Sequence, residues 1–157
     1  MSTLFTATEI KEAGYIHRNV NDDQLSVILL RTEKIDLISL IGEDMYNDLV
    51  TKRTGGTLNA YEQNLVNNYL FHFTAAAVEH RAVYALLYEF RNMTVGVTSD
   101  TQIRGLSREE VTALRDETLA DVLMFAERAK KYICDNISQF PLYTSNTTTF
   151  THPFSLL

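Results

Sequence analysis

Residues 60–90 read AYEQNLVNNYLFHFTAAAVEHRAVYALLYEF, a run without glycine or proline. Its larger apolar residues are Tyr61, Leu65, Tyr69, Phe73, Ala76 or Ala77, Val83 and Leu87. Steps of three and four residues keep side chains on one face of a helix, so the spacing predicts one long helix over Ala60–Phe90. At 1.5 Å per residue such a helix is about 45 Å long. That is more than a chain of this size needs to bury a single core, and it points to an elongated subunit.

The 157 residues fit one domain, large enough to build a core without disulfides or a structural metal. With 45% hydrophobic and 22% charged residues the composition is that of an ordinary globular protein. The single cysteine, Cys134, excludes an intrachain disulfide and a cysteine-rich zinc site. No charged-then-apolar leader and no long apolar run is present, so no membrane association and assembly in a reducing cytosol are expected. The sequons at Asn92, Asn136 and Asn146 carry no weight without a secretion signal. A net charge of −6 argues against a broad grip on DNA phosphates, which relies on clustered Lys and Arg. The one short basic cluster, Arg128 with Lys130 and Lys131, is expected to complement a helix C-terminus.

Outward from the central helix, punctuation marks the other elements. Thr6 with Glu9 has the spacing of a capping box, and Gly14 ends the short helix after it. Asn21, with Gln24 three residues on, opens a second helix expected to bury Leu25, Ile28, Leu29, Ile35 and Ile38, with Arg31, Glu33, Lys34 and Asp36 elsewhere. Gly42 breaks that pattern, and Glu43-Asp44 start a new helix with acids where the helix dipole favours them. Thr54-Gly55-Gly56-Thr57 is a turn, after which Asn59 and Glu62 box the start of the central helix. Beyond Phe90, Met93 to Leu106 are rich in β-branched residues around Gly96, which fits an extended loop or a β-hairpin at about 92–106. Ser107 and Glu110 open a last helix reaching about Ile137, with Val111, Leu114, Val122, Phe125, Ala129 and Tyr132 or Ile133 as its seam. Phe140-Pro141 stops it.

The expected architecture is all-α: a helical bundle over residues 1–143, the projecting loop or hairpin between the last two long helices, and an extended C-terminal arm over 144–157. That arm is Thr- and Asn-rich and then apolar, at Phe150, Pro153, Phe154, Leu156 and Leu157. Apolar side chains on a polar leash suit docking.

No catalytic chemistry is expected. His72 and His80 stand eight residues apart, about 12 Å along a helix, too far to share one metal ion. The aromatic line Tyr61, Tyr69, Phe73, Tyr84, Tyr88 and Phe90 lacks the basic groove of a base-stacking platform, since only Arg81 and Arg91 accompany it. The pairs Asp22-Asp23, Glu43-Asp44 and Glu109-Glu110 fall in first turns, where the dipole accounts for them. Cys134 sits where a small buried apolar residue would serve. No nucleophile elbow, dinucleotide fingerprint, phosphate loop or metal motif occurs, so neither an enzyme nor a cofactor is expected.

One resemblance covers roughly Phe5 to Tyr143. Its residues are Ile41-Gly42-Glu43-Asp44-Met45-Tyr46-Asn47-Asp48-Leu49, similar to a Leu-Gly-x-x-Leu-Tyr-x-x-Leu pattern, then the long helix. Gly96-Val97 and Ser99-Asp100 come next in the connection, then a helix opening Ser-x-Glu-Glu, then Tyr132-Ile133-Cys134-Asp135-Asn136 and Phe140-Pro141-Leu142-Tyr143. In this order the features resemble head-to-tail connector (adaptor or ring) proteins of tailed bacteriophages, of the group found in Bacteroides-type and crAss-like phages. Met45 stands where that pattern has Leu. The resemblance implies a ring of twelve copies at the neck of the virion, assembled in the bacterial host cytoplasm. The ring would bind the portal protein and neighbouring neck or tail proteins and extend a channel through which DNA passes without sequence-specific binding, in genome packaging and ejection. Subunit or partner contacts are expected at Met93, Val95, Val97 and Ile103 of the loop and at Phe150, Pro153, Phe154, Leu156 and Leu157 of the arm. The alternative is a small helical regulatory or binding module that docks a partner through its C-terminal tail.

Overall fold

In a computed structural model of the chain, residues 3–14, 16, 20–92 and 108–144 are described, the side chains of 84–92, 108 and 111 excepted. Thr6 opens α1 (Ala7–Glu12): its hydroxyl accepts from the Glu9 N–H while the Glu9 carboxylate accepts from the Thr6 N–H. Asn21 caps α2 (Asp22–Thr32) by accepting from the N–H groups of Asp23 and Gln24. A π-helical turn, Glu33–Leu37, runs on into the short α3 (Ile38–Ile41). Gly42, at φ +87°, then redirects the chain into α4 (Glu43–Gly55). The reciprocal box of Asn59 and Glu62 starts α5 (Ala60–Leu65), and a second π-turn, Val66–Leu70, leads into α6 (Phe71–Asn92). The chain continues with α7 (Arg108–Asp135) and a 3₁₀ turn at Ile137–Gln139. The described residues contain no β-strand, as an all-α chain requires.

α6 is the shared wall: α2 packs on one part of it and α7 on another. Tyr69 faces Tyr132, His72 faces Phe125 and His80 faces Thr118, so numbers fall along α7 as they rise along α6 and the two helices are antiparallel. One continuous core unites Leu4, Phe5 and Ile10 with Leu25, Leu37, Tyr46, Leu70, Phe73, Ala126 and Ile133.

The two π-turns correct the expected faces. Each π-turn closes i→i+5 hydrogen bonds and so inserts an extra residue, which rotates the helix before the turn relative to the helix after it. Past the first turn the buried positions are Leu37, Leu40 and Ile41, while Ile35, expected inside, is 48% exposed and Glu33, expected outside, is 0% exposed. Before the second turn the buried line is Glu62, Leu65, Val66 and Leu70, leaving the expected core residue Tyr61 45% exposed. Residues 60–92 are helical throughout, but in two phases. On α7 the seam is Thr118, Val122, Ala126, Ala129 and Ile133, and Leu114 stands outside it, at its exposed edge.

The turn at Gly42 depends on the missing side chain. Its φ lies where only glycine is comfortable, and a Cβ there would come 2.7 Å from the Thr144 hydroxyl. Replacing Gly42 with Ala is expected to cost about 2 kcal/mol in urea unfolding, the usual cost of a residue forced into such a region. Gly55→Ala, at a helical position whose nearest neighbouring atom would be 3.7 Å away, should stay within about 1 kcal/mol of the parent.

Candidate functional site

Rings line the seam between the π-turn, α6 and α7. Tyr69 stacks on Tyr132 with centroids 4.6 Å apart and planes 19° from parallel, and Tyr132 meets Phe140 edge-on at 6.1 Å. Three residues along α6, His72 lies 5.7 Å from Phe125 at 21°, and the Arg128 guanidinium covers the same Phe125 ring at 5.7 Å. Asn68, Tyr69, His72, Phe125 and Arg128 line an open depression of about 420 Å³. Rings beside a cation can hold apolar or anionic groups of a partner.

Two helical turns away, the same face becomes acidic. Glu79 on α6 is half-buried, and burial, then the charges of Asp121 and Glu117 across on α7, raise its carboxyl above the ordinary range. His80 Nδ1 lies 2.9 Å from the Thr118 hydroxyl at this level. Most charges on the adjoining stretch of α7 are matched within the chain: Arg115 with Asp116 at 3.6 Å, Lys130 with Glu127 at 3.8 Å, Lys131 with Asp135 at 2.7 Å. Among the described residues, Glu117, Asp121 and Arg128 have no ion-pair partner. Arg128 lies more than a turn before the end of α7, so the expected complement to that helix terminus does not hold for it.

The remaining concentration of polar contacts is buried. Glu33, turned inward at the first π-turn, accepts the N–H groups of Leu4 at 2.7 Å and Phe5 at 2.9 Å and the Tyr46 hydroxyl at 2.6 Å. Burial raises its carboxyl above the usual range by more than the three donors and the Arg53 charge lower it. The same environment pushes the Tyr46 phenol far up, through burial and then the Glu33 carboxylate. Arg53 completes the clasp: it donates to the Leu4 carbonyl, donates to the Glu9 carboxylate at 2.6 Å and lies 4.8 Å over the Phe5 ring. The arrangement fastens the N-terminal segment. No group of three metal-binding side chains occurs among the described residues.

The expected contact residues Met93, Val95, Val97, Ile103, Phe150, Pro153, Phe154, Leu156 and Leu157 lie outside the described residues. His72 and His80 are far apart in role, one in a ring stack and one on a hydroxyl. Cys134, expected to be buried, is exposed, because its neighbour Ile133 holds the seam and the next residue turns about 100° away. Sequence reading misses Glu33 entirely. A cue is present in its helical register with Leu25 and Leu29, eight and four residues back, which places it on the apolar side.

A carboxyl whose folded pKa is raised binds its proton more tightly folded than unfolded, so its contribution to stability falls as pH rises from the ordinary value of 4.5 through the raised one. Tyr46→Phe removes a donor that lowers the Glu33 pKa, and urea titrations across that window should show a steeper fall than the parent's. Glu33→Ala strands two buried N–H groups and a phenol and is expected to cost at least about 3 kcal/mol. Glu43→Ala, at an exposed first-turn position, should cost under about 1 kcal/mol.

No curated protein and no solved structure matches the chain. A model of the family of unknown function DUF6712 matches residues 37–151, from the first π-turn through α7 and past Tyr143. That span is well over half of the 157 residues, and the chain therefore belongs to the family of unknown function DUF6712.

Proposed function

We propose that this chain is a structural virion protein that forms a ring at the portal–tail junction, bridging head to tail and extending the DNA channel. The observation that carries this reading is the joint at Gly42. The residues that resemble the connector pattern are the ones this joint uses: Ile41, Met45, Tyr46 and Leu49 are buried, and Gly42 has the backbone conformation that requires glycine. Thr144 sits against Gly42, so the segment proposed as a docking arm starts from a fixed point on the helical body. In this reading the body is a helical bundle, residues 92–106 project from it as a loop or β-hairpin, and 144–157 form an extended arm. The work is mechanical and adhesive, without catalysis or cofactor. An acidic subunit suits a channel through which DNA slides, because a basic lumen would hold phosphates.

Purified protein mixed with its portal should give a closed ring by mass and by electron imaging. A chain that stays outside any ring under those conditions sinks the reading. Truncation after Tyr143 should leave helicity and the melting temperature nearly unchanged while abolishing attachment in the neck. Charged replacements at Met93, Val95, Val97 or Ile103 should block virion assembly.

A further inference from the structure

We propose that the α6–α7 face bearing His72, Phe125 and Arg128 at one end and Glu79, Glu117 and Asp121 at the other is a self-pairing surface. On it a second copy of this chain docks about a two-fold axis passing near Met124.

The geometry comes from register. His72 and Glu79 are seven residues apart on α6, and Asp121 and Arg128 are seven apart on α7. Seven residues are close to two turns, so each pair lies along one flank of its helix, separated by about 10 Å. Because the helices are antiparallel, His72 of α6 meets the Phe125–Arg128 stretch of α7, and Glu79 meets Asp121 and Glu117 at the other end. The result is a single face with a positive end and a negative end. Rotating such a face by half a turn onto a copy of itself lays each positive end on a negative one, the defining property of an isologous contact.

Charge bookkeeping within the chain singles out this face. The neighbouring ions of α7 are satisfied locally, whereas Glu117, Asp121 and Arg128 are not, among the described residues. Three carboxylates gathered at one end repel one another, and a guanidinium from a second copy relieves that repulsion. Midway between Asp121 and Arg128 stands Met124, 39% exposed, an adaptable apolar side chain suited to the centre of a contact. Nucleic acid is a poorer occupant, because the acidic end repels phosphate. The pairing does not rest on the ring reading, since a ring closes through two different patches and this contact uses one patch twice.

The test uses the full chain, with sedimentation velocity over a concentration series and native mass spectrometry. The parent should dimerise, more weakly as salt rises. Asp121→Arg alone and Arg128→Glu alone should each weaken dimerisation by at least about tenfold, since each sets like charges face to face. Both positions are exposed, so circular dichroism should match the parent. An equimolar mixture of the two variants should give a one-to-one heterodimer at least as tight as the parent pair, because the reversed charge at position 121 of one chain then faces the reversed charge at position 128 of the other. A parent that stays monomeric, single variants that pair like the parent, or a mixture that forms no heterodimer each overturn the proposal. Rings that form while the mixture fails leave the connector reading standing and remove this one, and heterodimers without rings do the opposite.

Discussion

A carboxylate shut off from water must find its donors inside the protein, and Glu33 finds them on separate pieces of chain. Two come from backbone N–H groups that belong to no helix, at Leu4 and Phe5, and the third from Tyr46 on α4. The N-terminal segment has little regular structure to hold it, so its position rests on this acceptor, on Arg53 and on the burial of Phe5 and Ile10. Register with Leu25 and Leu29 of α2 aims Glu33 inward, at the residue where the π-turn begins. Asp36, in that same turn, receives a two-pronged grip from Arg81 at 2.7 and 2.8 Å, which ties it to α6. The N-terminus, α2, α4 and α6 are therefore located relative to one another by charged groups around one irregular turn. Hydrophobic burial supplies the driving force, but it is non-directional; these contacts choose among the packings it would allow.

Signals that act over three or four residues are legible in the sequence. Thr6 with Glu9 and Asn59 with Glu62 form the reciprocal boxes their spacing announces, and Gly42 makes the turn its place between two helical patterns requires. Phase is not legible. A π-turn has no compositional mark, so counting by 3.6 across Glu33–Leu37 or Val66–Leu70 carries every later or earlier assignment one step off. Such counting puts Ile35 and Tyr61 inside for that single reason, whereas Glu33 keeps the register of Leu25 and Leu29 and only its charge suggests an outside position. Leu114 and Cys134 show a milder version: each lies beside the seam of α7, and the sequence alone does not say where its edge falls.

The two-ended face is hidden in the same way. The acids and the base of α7 are visible at helical spacing, but Arg128 reads with Lys130 and Lys131 as one cluster. Geometry separates them: the two lysines have carboxylates within the helix, and the arginine lies over Phe125 on another flank. Nor does sequence say that Glu79 stands opposite Asp121 and Glu117, because that depends on how α6 and α7 are registered. The register is set by ring stacking at Tyr69–Tyr132 and His72–Phe125, so aromatic packing decides which charges share a surface.

The exposed cysteine has a practical side. Cys134 is the chain's single thiol and it faces solvent. A maleimide dye thus adds one fluorophore to each free subunit, and bleaching steps in a particle built from labelled chains count its subunits one by one. Stoichiometry then becomes an arithmetic measurement, independent of any symmetry imposed on an image.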